Sequence, residues 1–180
     1  MSELNKSRLE VQRILLNAAQ AGMTALGHDG WTVMEFANST MIRADRVVLL
    51  NYTRMRRVGW QSAKSHLSDL DFVRTDEWIE EQSWQFHCIN RREGAATPSE
   101  VLAEDMANDL VAWFNGRGAE TLRASGVAPL RVDADSIIVY NDNSDLYQKR
   151  AVFTVKIQVP KELTTGDISV DAVIPKVKPI

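Results

Sequence analysis

The sequence contains a single cysteine, Cys88, among its 180 residues. One thiol excludes an intrachain disulfide framework and any zinc site built from several cysteines. No stretch approaches the roughly 18 consecutive apolar residues that a membrane-spanning helix needs. The first residues also lack the apolar core and the cleavage pattern of a secretion signal. We therefore expect no membrane partner, and assembly in the cytoplasm of a cell.

Neither sign of charge dominates, because 21 Lys and Arg stand against 24 Asp and Glu, for a net charge of −3. The chain therefore has no overall basic bias toward nucleic acid. The one dense basic cluster consists of Arg54, Arg56 and Arg57. No aromatic residues or glycines interleave with it in an RNA-binding pattern. We expect these arginines to lie at an exposed rim and to pair with acidic groups of a partner.

Residue patterns that carry catalysis are absent as well. His28, His66 and His87 are widely spaced and form no metal-binding pattern. There is no glycine-rich phosphate loop and no nucleophile elbow. His87 and Cys88 are neighbours in a predicted strand, so their side chains point to opposite faces, and Cys88 is predicted to be a small buried hydrophobe. We expect no catalytic residue, no cofactor and no metal, and predict that the protein is not an enzyme.

Arg91 and Arg92 precede a predicted helix start, where the free N–H groups of a helix terminus can bind an anion. Glu93 and Glu100 add negative charge at the same place. A solvated turn is therefore the favoured interpretation, with an anion site as the alternative. Both arginines are candidates for an interface.

Hydrophobic periodicity predicts two main helices, over residues 3–26 and, after a capping box of Thr97 and Glu100, to about Asn115. Strands are predicted over residues 31–36, 46–57, 71–90, 137–140 and 149–159, with an exposed loop over residues 59–70. The last two strands flank a turn-rich stretch and predict an antiparallel hairpin. This order predicts an α+β fold, in which a mostly antiparallel sheet carries the two main helices on one face.

Pro160 is predicted to end the last strand, because proline cannot donate to a β-ladder. The sequence therefore divides into a domain of residues 1–160 and an extended C-terminal arm of residues 161–180. Apolar residues alternate in this arm, at Ile168, Val170 and Ile174. We expect the arm to lie on another surface, with these three side chains as interface candidates.

Three segments together carry a resemblance to a known family. The strand Leu49–Arg57 ends in basic residues, Glu81–Phe86 leads into the helix 96–115, and Asp145–Val155 forms a late hairpin strand. Over residues 1–160 the chain resembles the neck or tail terminator proteins of tailed bacteriophages. The resemblance implies helices packed on an antiparallel sheet, and no catalysis.

It further implies a homo-hexameric ring in the tail or neck of the virion. Such a ring caps the tail tube (and the sheath if the tail is contractile), ends polymerisation and presents the surface that joins the head. The implied partners are the tube protein, the sheath protein and the head-completion or connector proteins. DNA passes through the lumen without specific recognition.

Two alternatives remain open from the sequence. One is another virion connector, such as a head-completion or tube-like ring protein. The other is a small α+β ligand-binding domain or enzyme that uses His87, Arg91 and Arg92.

Overall fold

In the described part of the chain, three long strands dominate, and three helices pack on one end of them. The computed structural model describes residues 5–36, 44–68, 71–91, 101–132, 138–142 and 148–169. The helices are α1 (Arg8–Ala25), α2 (Ala103–Asn115) and α3 (Arg117–Ala124). The strands are β1 (Thr32–Glu35), β2 (Arg46–Ser68), β3 (Asp71–Asn90), β4 (Ala128–Pro129), β5 (Ile138–Asp142) and β6 (Gln148–Ser169).

The strands form one sheet in the order β1-β2-β3-β6-β4, and β5 also pairs with β6. Only the β1–β2 pair is parallel among the described strands. Successive side chains of each strand point to opposite faces of the sheet. We call the face that carries the helices the inner face and the opposite one the outer face. The predicted α+β fold, with its mostly antiparallel sheet, is confirmed.

The core lies between the inner face and the helices. Phe86 of β3 and Phe153 of β6 stack at 5.1 Å, and Phe114 of α2 packs on Phe86 at the same distance. Cys88 is fully buried beside them, which confirms its prediction as a small core residue. A second, smaller cluster of Val47, Leu49 and Ile89 is buried on the outer face. Apolar residues of the strands are therefore buried wherever helices or neighbouring segments cover the sheet.

Trp113 joins the three helices. Its indole N–H donates to the carbonyl oxygen of Ala18 in α1 at 2.9 Å. A Cβ atom on Gly22 would lie 2.7 Å from Trp113 Cδ1, and one on Gly118 would lie 2.6 Å from Trp113 Nε1. Carbon atoms do not approach so closely, so the ring fits only against bare backbone on both sides.

The first helix follows its sequence signals closely. Ser7 caps it: the N–H of Glu10 donates to Ser7 Oγ at 3.2 Å, and the N–H of Ser7 donates to Glu10 Oε2 at 2.7 Å. This reciprocal pair is the capping box that favours a helix start. The helix therefore begins at Arg8, five residues after the predicted start.

The second helix begins at Ala103, so its predicted start at Thr97 is wrong. Leu102 is extended, and its N–H donates to the carboxylate of Asp105 at 3.3 Å. Glu104 and Asp105 place negative charge in the first turn, where the helix dipole favours it. Thr97 and Glu100 themselves lie outside the described residues.

Two strand boundaries also differ from the sequence prediction. β2 continues to Ser68, so most of the loop predicted over residues 59–70 is strand. β6 continues through Pro160 to Ser169, so Pro160 does not end it. The carbonyl of Pro160 accepts a hydrogen bond from the N–H of Asn5 at 3.3 Å and thus faces away from β3. The missing N–H lies on that same side, and the ladder to β3 loses no hydrogen bond.

No helix in the described part of the chain is long and apolar enough to cross a membrane.

Candidate functional site: a three-stranded arm beyond the core

The long strands extend past the helices as a three-stranded ribbon, which we call the β-arm: residues 54–68 of β2, 71–83 of β3 and 156–169 of β6. Beyond Glu81 on β3 and Val159 on β6, none of the β-arm side chains that the structure describes is buried. The ten residues 71–80 of β3 span about 34 Å at the usual rise of a strand. The β-arm therefore exposes both faces of a paired sheet to solvent.

A register shift at Thr53 decides which way the basic cluster points. Before the shift, Tyr52 pairs with Trp84 on the inner face, and after it Arg54 pairs with Ser83. The extra residue moves Arg54 and Arg56 to the outer face and Arg57 to the inner face. The structure therefore divides a cluster that the sequence presents as one rim.

The arginines of the two faces have different interaction partners. On the outer face, Arg56 Nε donates to Glu81 Oε1 at 2.9 Å, and the Glu81 side chain is only 8% exposed. On the inner face, the Arg57 guanidinium lies over the ring of Trp78 at 4.7 Å. Arg57 therefore gains cation–π attraction at the root of the β-arm, while Arg56 neutralises a buried carboxylate.

Further along the outer face, an apolar row crosses all three strands. Val58, Ile79 and Pro160 are paired in register, and Ile79 is 39% exposed. Beyond this row, Glu77 accepts hydrogen bonds from Ser62 at 3.1 Å and from Lys64 at 2.8 Å. The hydrogen bond from Lys64, and next the one from Ser62, lower the pKa of Glu77. Toward the tip of the β-arm, the outer face therefore carries first a row of apolar side chains and next a cluster of ion-paired side chains.

The β2 edge of the β-arm is open along its whole described length, and the β6 edge is open in its outer half. β1 pairs with β2 only up to Leu50, and no described strand pairs with the outer edge of β2 beyond it. On the other side β4 pairs with β6 at residues 157–158, and the N–H of Leu130 donates to the carbonyl of Lys156 at 2.8 Å. Asn5 then covers the next positions of that edge, because Asn5 Oδ1 accepts a hydrogen bond from the N–H of Glu162 at 2.7 Å. Past Glu162, the described part of the chain leaves the edge of β6 uncovered.

The other predicted interface residues do not gather at one place. Arg91 is exposed at the opposite end of β3 from the β-arm, and its N–H donates to the carbonyl of Asp45 at 2.8 Å. Ile168 lies at the far end of β6, in register with Phe72. Arg92, Val170 and Ile174 lie outside the described residues.

The histidine of the alternative enzyme hypothesis is buried on the outer face. Arg150 Nε donates to His87 Nδ1 at 2.8 Å, and Phe36 stacks on the ring at 5.8 Å. Burial, and then the charge of Arg150, lower the pKa of His87 from 6.5 to about 4. Cys88 lies on the inner face, where burial raises the pKa of its thiol. The two side chains therefore do not form a nucleophile and its base.

The patterns in the sequence do not indicate where a cavity lies. A cavity of about 380 Å³ lies between α3 and the segment after β4, lined by residues that include Phe114, Arg123 and Arg131. It is not lined by His87 or Arg91. Within the described residues, no group of three or more His, Cys, Asp or Glu side chains is placed to hold a metal ion.

A sequence-family model described as "E217 gateway protein gp29" matches residues 10–166. No curated protein sequence matches the chain. The matched range includes nearly all of α1, the whole of α2 and α3, and nearly the whole β-arm. The chain is a structural protein of the bacteriophage virion, of the connector type. It belongs to the E217 gateway protein gp29 family.

Proposed function

We propose that the chain closes into a homo-hexameric ring in the neck or tail of the virion. In this role the ring terminates the tail: it caps the tail tube (and the sheath if the tail is contractile), stops polymerisation and offers the surface that joins the head. Its partners are then the tube protein, the sheath protein and the head-completion or connector proteins. The family match supports a virion connector, and the geometry of the β-arm supports a ring.

The observation that carries the ring is the pair of open edges. β2 and β6 flank β3 and are both antiparallel to it, so the two edge strands run parallel to each other on opposite sides of the β-arm. An uncovered edge is a template for strand pairing. The β2 edge of one copy and the β6 edge of the next are different surfaces, so their pairing is head-to-tail and generates a ring when the rotation closes.

Strand addition gives such an interface affinity through backbone hydrogen bonds and fixes its register. In this proposal the residues after Ser169 pass from β6 onto the neighbouring subunit, with Val170 and Ile174 as apolar contacts. Deletion after Ser169 keeps the described β6 intact and is expected to weaken assembly while the monomer stays folded.

A proline substitution tests the edge directly. The N–H of Glu162 faces away from β3, and by strand alternation the N–H of Thr164 does as well. Thr164→Pro removes an outward donor and leaves the β3 ladder in place, as Pro160 already does. We expect this variant to stay folded by circular dichroism and to lose oligomers in light scattering.

Glu162→Pro is the matched control, because its outward N–H is already occupied by Asn5 within the same chain. It is expected to assemble as the unmodified protein does. Oligomers of equal mass in both variants would refute pairing at this edge.

A second candidate, another virion connector such as a head-completion or tube-like ring protein, fits the same family match. The two roles differ in the neighbouring protein. Preferential binding to the end of purified tail tubes favours the terminator, and binding to heads alone favours the head-completion role.

A further inference from the structure

The outer face at the root of the β-arm carries two cross-strand rows of polar and basic residues. The first row is Arg54, Ser83 and Lys156, and the second is Arg56, Glu81 and Gln158. Arg54 and Arg56 are two residues apart on one strand, about 7 Å, and Arg54 and Lys156 are two strand spacings apart, about 10 Å. We call Arg54, Arg56 and Lys156 the basic patch.

The basic patch keeps its positive charge toward solvent. Arg54 and Lys156 are exposed and make no ion pair with any residue that the structure describes. Arg56 is 54% exposed on its side chain, whereas its partner Glu81 is 8% exposed. The one carboxylate in these rows therefore lies beneath the arginine, and the surface presents cations.

The surroundings of the basic patch select its ligand. The next row toward the core consists of Asn51, Gln85 and Thr154, all polar and half-buried. Protein interfaces depend on aromatic and apolar anchors at their centre; these three rows expose none, and the nearest apolar side chains form the row of Val58, Ile79 and Pro160 on the tip side of the patch. Contacts to a phosphate backbone need only cations and hydrogen-bond donors on an accessible surface.

We infer that the basic patch binds the phosphate backbone of double-stranded nucleic acid without reading its sequence. Three paired strands make a wider face than the two-stranded ribbon that the major groove admits, so we expect contacts to the backbone and none to the base edges. With a net charge of −3 on the whole chain, the rest of the protein does not attract the polyanion. Binding therefore concentrates on this one face and depends on salt. The inference stands on the monomer and does not require a closed ring.

The test uses the full chain and a fluorescently labelled 30-base-pair DNA duplex, with binding followed by anisotropy from low to moderate salt. The test variant is Arg54→Gln with Lys156→Gln. The control variant, Arg117→Gln with Arg123→Gln, removes the same charge from exposed positions of α3.

Loss of two phosphate contacts lowers the slope of log affinity against log salt by about 1.8. We expect this change, with at least a several-fold loss of affinity, in the test variant only. Two duplexes of unrelated sequence are expected to bind equally.

Three results would overturn the inference. Equal loss in the test and control variants would show a response to net charge alone. Absence of duplex binding by the unmodified chain at low salt would show that the basic patch does not hold DNA. Stronger binding to an acidic polyglutamate peptide than to the duplex would assign the patch to an acidic protein surface.

Discussion

Gly22 and Trp113 provide a sharp test of the packing that holds the helices on the sheet. A Cβ atom at Gly22 would approach Trp113 Cδ1 to 2.7 Å and Cγ to 2.9 Å. The indole cannot move away freely, because its N–H is bonded to Ala18 at 2.9 Å and Gly118 abuts its other side. Overpacking of this kind costs about 1–3 kcal/mol.

Alanine at position 22 also has a favourable effect, since replacement of glycine inside a helix gains about 1 kcal/mol of helix propensity. We therefore expect Gly22→Ala to lower the free energy of unfolding by about 1 kcal/mol. The sign should reverse in a Trp113→Ala background. There the clash is gone, and Gly22→Ala is expected to raise the free energy of unfolding by up to about 1 kcal/mol.

Urea denaturation of the four proteins of this double-mutant cycle measures both signs and their coupling energy of about 2 kcal/mol. For a chain of this size, 1 kcal/mol also moves the melting temperature by about 2–4 °C. The same sign of change in both backgrounds would refute the proposed contact between Gly22 and Trp113.

Three further predictions concern individual side chains. Cys88 is expected not to react with a thiol reagent at pH 8 in the native protein, and to react fully in guanidinium, because burial raises its thiol pKa; fast native labelling would contradict its burial. The pKa of His87, about 4 in the folded state, lies below its unfolded value of 6.5, so unfolding takes up a proton and stability falls as the pH drops between these values. Urea titrations should show about 2 kcal/mol less stability at pH 5 than at pH 7, and His87→Gln should reduce that difference. Arg56→Gln leaves the carboxylate of Glu81 unpaired at 8% exposure and should cost about 1–3 kcal/mol, whereas Arg54→Gln should cost almost nothing by the same assay.

The parts of the fold that the sequence predicts are those in which one face is buried. Residues 149–159 alternate in the sequence because every second side chain enters the core, and that strand and its hairpin with β5 are confirmed. Residues 59–68 lie in a strand whose described side chains are all exposed. Such a strand has no buried face to impose a period, so its sequence is indistinguishable from a loop.

The prediction that Pro160 ends its strand is wrong for a different reason. Whether a proline breaks a strand depends on which side its missing N–H would face, and that depends on the neighbouring strand and on Asn5. Neither the neighbouring strand nor the contact with Asn5 can be predicted from the sequence around Pro160. The capping signature at Thr97 likewise predicts a start that α2 does not use, because the helix begins at the acidic first turn that includes Asp105.

Only part of the candidate site could be predicted from the sequence. The sequence identified the basic cluster as an interaction surface but placed all of it at one rim. The register shift at Thr53 separates Arg54 and Arg56 from Arg57, and it puts them on the same face as Lys156 of β6. A β-bulge is a property of paired strands, so no local pattern announces it.

The central claim is that this connector protein is a ring, and the most direct measurement is its mass in solution by light scattering, with negative-stain images of the same sample. Six copies of a 20.2 kDa chain predict a particle of about 121 kDa with a visible central opening. A strict monomer at every concentration, alone and with purified tail tubes, would contradict the account.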